Sequence, residues 1–206
     1  MKKLVLITAL TALFAAPVAA APPTLTLKAA PTVLGYGGST TLSGVLSTQK
    51  VGQSVDVQAQ ECGQTAFKKL ASATTTTGGA FSYAAKPTIN TTFQAKQKGA
   101  TSPSVAVKVA PVLSLRKLAL GKFSVSVTAA QSFVGKVVVF QRLRNLKWVT
   151  LKRVVIATVK TTTAPTQVSS AGFRIKLPAR LKVRAVLPAT QAGTCYLPTK
   201  SGVVRS

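Results

Sequence analysis

From Thr24 onward, polar and apolar residues alternate with a period of two over short runs. Thr24-Leu25-Thr26-Leu27 does so, as do Thr40-Thr41-Leu42-Ser43-Gly44-Val45, Ser54-Val55-Asp56-Val57-Gln58-Ala59 and Val105-Ala106-Val107-Lys108-Val109. That period belongs to a strand, whose successive side chains leave opposite faces. Thr, Val and Ser fill the runs, Gly or Pro punctuates them at roughly 8–12-residue spacing, and no amphipathic helical period emerges. Strands are expected near 24–29, 39–46, 53–60, 67–75, 80–85, 91–98 and 103–109. That count and spacing predict an all-β, immunoglobulin-like sandwich.

The pattern then recurs. Val51-Gly52-Gln53-Ser54-Val55-Asp56-Val57 is answered by Val134-Gly135-Lys136-Val137-Val138-Val139, and Phe67-Lys68-Lys69-Leu70 by Trp148-Val149-Thr150-Leu151. Gly79-Ala80-Phe81-Ser82-Tyr83 matches Ala171-Gly172-Phe173-Arg174-Ile175, and Thr92-Phe93-Gln94-Ala95 matches Lys182-Val183-Arg184-Ala185. Order and spacing agree within short insertions, the mark of an internal duplication. The seam falls at Ala110-Pro111, so one sandwich is expected over 21–111 and a second over 112–206, end to end.

The first twenty residues are of another kind. Lys2 and Lys3 precede an apolar run, Leu4 to Ala16, which is short for a membrane span. Val18 and Ala20 suit the −3 and −1 positions of a signal-peptidase site, so residues 1–20 are expected to be a signal peptide cleaved after Ala20. An N-terminal membrane anchor or a buried helix is the alternative. No second run reaches membrane length, and an exported, secreted chain with no membrane span in its mature part is expected. Leu187-Pro188-Ala189-Thr190-Gln191 lacks the hydrophobic tail that a sortase signal needs.

The G-x-x-V-x-V lead-in to the third strand, the Cys62-Gly63 hairpin tip followed by an aromatic, the Gly-x-Phe strand and the Asn90-Thr91-Thr92-Phe93 stretch together carry a family likeness. On these motifs the chain resembles the tandem bacterial immunoglobulin-like or fibronectin-like repeats of secreted proteins from high-GC Gram-positive bacteria. The resemblance covers residues 24–110 well and the second copy more loosely. It implies a spacer, adhesion or polymer-binding module with no invariant catalytic set. In such a bacterial chain, Asn90-Thr91-Thr92 reads as a turn into a strand rather than as a glycosylation site.

Charge separates the two copies. The whole chain has 27 Lys and Arg against two acidic residues, Asp56 and Glu61, for a net +25. Eight Lys and both acids give residues 21–111 a charge of +6, whereas nine Lys, eight Arg and no acid give residues 112–206 a charge of +17. A balance of this kind implies a polyanionic partner. Alternation along Lys136 to Arg144 sets Val137, Val139, Gln141 and Leu143 against Val138, Phe140, Arg142 and Arg144. If the third and sixth strands are neighbours, Arg142, Arg144, Arg180, Lys182 and Arg184 line one sheet face, with Arg174 and Lys176 on a further strand. On the same pattern Trp148, aligned with Phe67, is expected to be a packing residue and Phe140 an exposed aromatic among arginines.

The composition also excludes chemistry. The chain has no histidine, so Ser-His-Asp, Cys-His and His-ligated zinc arrangements are ruled out. Asp56 and Glu61 are five residues apart and fall on opposite faces of a strand, a poor acid–base pair. Gly35-Tyr36-Gly37-Gly38 precedes a strand and reads as a turn rather than a phosphate loop. No catalytic residue, metal site, cofactor or small-molecule substrate is expected. Cys62 and Cys195 stand one in each copy. In an exported chain their bridging is expected, because head-to-tail sandwiches bring the loop after the third strand of the first to the loop between the sixth and seventh strands of the second. Unrelated thiols or pairing between molecules are the alternatives.

Together these features point to an exported, non-enzymatic protein that associates with anionic polymer, whether wall polymer, acidic polysaccharide or extracellular DNA, through its basic second sandwich. The alternative is a purely structural spacer or adhesion module of the envelope.

Overall fold

The structure, a computed structural model, describes residues 21–206; the expected signal peptide, residues 1–20, lies outside the described residues. The first half comprises β1 (Lys28–Ala30), β2 (Val33–Gly35), β3 (Thr40–Val45), β4 (Ser54–Glu61), β5 (Lys68–Thr74), β6 (Ala80–Ala85), β7 (Thr91–Gln97), β8 (Ala100–Thr101) and β9 (Val105–Ala110). These strands form two sheets, β1-β3-β6 and β2-β9-β7-β4-β5, with β8 added to β7. The second half comprises β10 (Val112–Ala119), β11 (Lys122–Ala129), β12 (Val137–Arg144), β13 (Lys147–Val155), β14 (Thr158–Thr161), β15 (Gln167–Arg174), β16 (Lys182–Leu187), the short helix α1 (Ala189–Ala192), β17 (Thr199–Lys200) and β18 (Val204–Arg205). Its sheets run β10-β11-β15-β14 and β13-β12-β16-β17, with β18 also on β16. The fold is all-β: two tandem immunoglobulin-like sandwiches. No helix among the described residues is long and apolar enough to cross a membrane.

The expected first strand is divided. Leu25 forms only an isolated bridge to Leu46, β1 joins β3, and β2 then crosses to the other sheet to pair in parallel with β9. Pro31 stands at the break, where its missing N–H cannot serve a ladder. Elsewhere the two copies share fine detail. Gly52 and Gly135, at the same point before the third strand, both adopt left-handed backbone, with φ of 77° and 81°. Each hairpin after that strand also carries a register shift at the same place, between Val57 and Gln58 in one and between Phe140 and Gln141 in the other.

Each sandwich has its own core. The first packs Leu42, Leu46, Val55, Val57, Phe81 and Phe93, and the second packs Phe123, Phe133, Phe140, Ile156, Val183 and Leu187. The second core is the more aromatic. Phe140 lies 5.2 Å from Phe123 and 5.0 Å from Phe173 between ring centroids, distances at which tilted and edge-on rings attract.

Only Pro111 separates β9 from β10. Across this junction the Cys62–Cys195 disulfide is formed, with Cα atoms 5.4 Å apart. Asn90, between the two cysteines' loops, is 7% exposed and uses every polar group it has. Its backbone N–H donates to the Cys195 carbonyl at 3.0 Å and its carbonyl accepts the Cys62 N–H at 2.9 Å. Its side-chain amide donates to the Thr194 carbonyl at 3.0 Å and accepts the Val109 N–H at 2.8 Å. The residue that formally resembles a glycosylation site is therefore a bonded joint. Tyr196 adds a second tie, donating to the Thr88 carbonyl at 3.0 Å while accepting the Ala130 N–H at 3.0 Å. Burial pushes this phenol up to about 12, so it remains a neutral donor well above physiological pH.

Candidate anion-binding surface of the second sandwich

The third and sixth strands of the second copy, β12 and β16, are neighbours, in the register Gln141↔Arg184 and Arg142↔Val183. Directly opposed residues share a face. Val183 is wholly buried, so Arg142 lies on the inner face, and Arg184 belongs to the outer one. The expectation of a single face carrying Arg142, Arg144, Arg180, Lys182 and Arg184 is therefore corrected. Lys182 and Arg184 face outward, whereas Arg142 and Arg144 continue the inner set of Val138 and Phe140 past the edge of the core. Phe140 is corrected with them: it is 1% exposed, not an exposed aromatic among arginines. Both candidate faces of β12 are apolar over their first residues, and the larger ring gains more from burial.

What the predicted residues share is an end. Arg174 closes β15 in the opposite sheet, Lys176 follows it, and Arg180 lies in the loop before β16 with φ 67°, its N–H donating to the Ser206 carbonyl. All lie in the half of the sandwich away from the junction. The hairpin β10–β11 contributes Arg116, Lys117 and Lys122 there, β12–β13 contributes Arg142, Arg144 and Lys147, and β18 contributes Arg205. Three like-charge pairs are directly opposed across strands at this end: Lys122 with Arg174, Arg144 with Lys147, and Lys182 with Arg205. No Asp or Glu occurs in residues 112–206 to neutralise them. Arg142 Nε is buried, with no hydrogen-bond partner among the described residues.

On the outer face, Arg184 is held flat. Its guanidinium carbon lies 4.1 Å from the Trp148 ring centroid, and its Nε donates to Gln141 Oε1 at 2.9 Å. Trp148 is thus half-buried beneath a cation, the platform role that its alignment with Phe67 did not suggest. Cation–π contact and the amide acceptor fix the fork and leave its terminal nitrogens free to bind an anion in bidentate fashion. Beside it, Arg184, Val186, Pro198, Thr199 and Lys200 line a shallow groove of about 420 Å³.

The same place in the first sandwich is neutral. Gln94 Nε2 donates to Gln58 Oε1 at 2.7 Å, and Phe67 occupies the position of Trp148. Asp56, one ladder step away, takes Lys69 Nζ at 2.7 Å and Ser72 Oγ at 2.8 Å. These hydrogen bonds, that of Lys69 foremost, hold its carboxyl below the usual carboxylate range. Glu61 falls with the inward-facing set of β4, at the rim of a 350 Å³ cleft beside Leu70, Tyr83 and Lys86. No group of three or more His, Cys, Asp or Glu side chains able to hold a metal occurs among the described residues.

Trp148, Gln141, Lys122, Lys147 and Arg205 are among the residues that the sequence did not bring into the site. For the first two a signal exists. Aligning Gly52 with Gly135 pairs Asp56 with Val139, and an outward Asp56 requires Val139 and Gln141 to face outward as well.

No family model matches the chain, and no curated protein matches its sequence. Solved structures that resemble it include bovine butyrophilin, at 11% identity and TM-score 0.32, over 87% of this chain and 98% of that one. A tetra-tandem repeat from the extending region of a large adhesion protein matches at 13% identity and TM-score 0.36, over 90% of this chain and 49% of that one. A marsupial T cell receptor matches at 11% identity and TM-score 0.33, over 88% and 99%. At these scores the likenesses say nothing about binding; the strand order within each sandwich is itself immunoglobulin-like.

Proposed function

We propose that this protein is an exported, non-enzymatic binding module that holds anionic polymers through the outer half of its second sandwich. The three opposed like-charge pairs in a half without a carboxylate side chain carry this reading. Opposed like charges destabilise the free fold by roughly 0.2–1 kcal/mol each, a cost that a bound polyanion turns into attraction. Arg184, pinned on Trp148, offers a pre-oriented fork for phosphate, sulfate or carboxylate. Wall polymer, acidic polysaccharide and extracellular DNA all present such groups. The inter-sandwich disulfide suits an oxidising, extracellular location. The carboxylates favour no hydrolytic role, since Asp56 is committed to Lys69 and Ser72 while Glu61 lies on the other face. The bonded junction also favours a second use of the same molecule, as a stiff spacer or adhesion module of the envelope.

The test is retention of residues 21–206 on duplex DNA and on a phosphate-rich polymer across a salt series. Replacing Lys182, Arg184 and Arg205 with Gln should weaken binding and reduce the salt slope on duplex DNA by about 0.9 unit per lost phosphate contact. Equal weakening when Lys28, Lys96 and Lys108 of the first sandwich are replaced instead would reduce the basic end to a solubility device.

A further inference from the structure

Three connections lie at the end of the second sandwich away from the junction: the β10–β11 turn, the β12–β13 turn and the segment from 175 to 181. The Ile175 N–H donates to the Gly121 carbonyl at 2.9 Å, tying the first of these to the third. The two turns present leucines to solvent: Leu118 is 56% exposed, Leu120 74% and Leu146 93%. Single exposed apolar residues are ordinary on a protein surface, whereas three exposed leucines on two turns at the same end of one sandwich point to an interaction site.

Local backbone features set each leucine outward. The ladder passes from Lys117↔Phe123 to Ala119↔Lys122, so Leu118 is left out of register in a bulge, a device that re-aims a side chain. Leu120 sits at the tip, before Gly121 with φ 66°. Asn145 and Leu146 are both left-handed, with φ of 47° and 60°. A hairpin turn with two such residues favours Asn-Gly, and a side chain on the second residue costs conformational energy. Leu146 is thus unsuited both to its backbone and to water. Around these leucines stand Lys117, Lys122, Arg144, Lys147, Lys176 and Arg180, with no carboxylate side chain in this half of the chain. Apolar turns flanked by cations at one end of the sandwich fit a surface that is anionic outside and hydrocarbon beneath.

We propose that this tip docks on an anionic lipid bilayer, with the leucines entering the boundary between headgroups and acyl chains and the cations lying against lipid phosphates. A polymer on the sheet face of Arg184 and Trp148 accounts for cations but leaves the leucines unexplained; the two uses share the cationic end and differ in what the turns do. The equivalent end of the first sandwich, with the turn at Cys62 and the loop at Asn90, is the one bonded to the second sandwich.

The experiment mixes residues 21–206, which contain both sandwiches, with phosphatidylglycerol vesicles, with phosphatidylcholine vesicles and with soluble duplex DNA. Binding to phosphatidylglycerol alone is expected among the vesicles, accompanied by a blue shift of the fluorescence of Trp148, the only tryptophan, two residues from Leu146. At about 0.5 M salt, where electrostatic attraction is heavily screened, DNA should be released and part of the vesicle binding should survive. Replacing Leu118, Leu120 and Leu146 with Ser should lower vesicle partitioning about 100-fold and leave DNA binding unchanged. Leu146→Gly alone should lower it about tenfold with an unchanged or raised melting temperature, since glycine accepts the left-handed backbone. Three results overturn the proposal: equal vesicle binding by the triple variant, DNA binding without any vesicle binding, or lipid-free dimerisation that the triple variant abolishes. Vesicle binding without DNA binding supports it and removes the polymer reading instead.

Discussion

The two sandwiches place an amide and a guanidinium at the same point of the same scaffold. In the first, Gln94 reaches across to Gln58 at 2.7 Å; in the second, Arg184 reaches across to Gln141 at 2.9 Å and rests on Trp148. The acceptor, the register and the neighbouring bulge are common to both. What differs is charge and its neutralisation. Asp56 lies opposite Lys96 and bonds to Lys69, whereas the second copy sets cation opposite cation three times. A duplicated frame holds its backbone geometry while the outward residues change freely, because those residues carry little of the packing energy.

The cores offer the largest effect with which to break this comparison. Val57 and Phe140 occupy equivalent, fully buried positions. Phe140→Ala should cost about 3–5 kcal/mol and Val57→Ala about 2 kcal/mol in denaturant unfolding, through lost burial and the cavity left behind. Equal losses would mean that the aromatic cluster adds nothing to the second core. Next comes the joint between the two. Asn90→Ala removes both side-chain bonds and leaves the buried Val109 N–H without its acceptor, so thermal unfolding should show a loss of about 2–3 kcal/mol with the disulfide intact. An unchanged melting temperature would show that the Asn90 side chain adds nothing to the joint beyond the disulfide, the Tyr196 bond and the remaining backbone bonds.

Reversing one charge in each copy sharpens the contrast at lower energy. Arg174→Glu creates an opposite pair with Lys122 and should stabilise the fold by about 0.5 kcal/mol while weakening polyanion retention. Asp56→Lys, between Lys69 and Lys96, should destabilise by a similar amount. Chemical denaturation of both variants measures this; equal signs would sink the view that the second sandwich gives up stability for its charge. The smallest effect is that of acid. The pKa of Asp56 is depressed in the folded protein, so its contribution is fully present above the ordinary value of 3.8 and is lost as pH falls through the depressed value. Exposure keeps the effect under about 1 kcal/mol, and Asp56→Asn should abolish it in a pH series.

Strand positions, the duplication and the inter-sandwich bridge were legible in the sequence because each rests on order along the chain. Alternation also divided β12 correctly into two sets. It did not say which set faces inward, since Val137 and Val139 are as apolar as Val138, and Phe140 beside Arg142 looked like an exposed ring. The copy with Asp56 at the equivalent place breaks that tie, because an acid beside two buried valines must lie outside. The crossing of β2 to the opposite sheet was not legible: Val33-Leu34-Gly35 is short, and its partner β9 lies some seventy residues along the chain. Nor was the role of Asn90, whose four bonds depend on loops from both sandwiches.

The Cys62–Cys195 bridge also fixes how the molecule answers a pull. Tension applied between the two ends of the described chain enters at Cys62 and leaves at Cys195, bypassing the span of 133 residues between them. That span, roughly 450 Å when fully extended, includes β5 through β16 and cannot be extended while the bond is intact. Only the leading strands of the first sandwich and the last eleven residues can be drawn out. Force–extension traces with and without reductant should differ by that hidden length, and under oxidising conditions nearly all of the cationic half keeps its shape on a stretched tether.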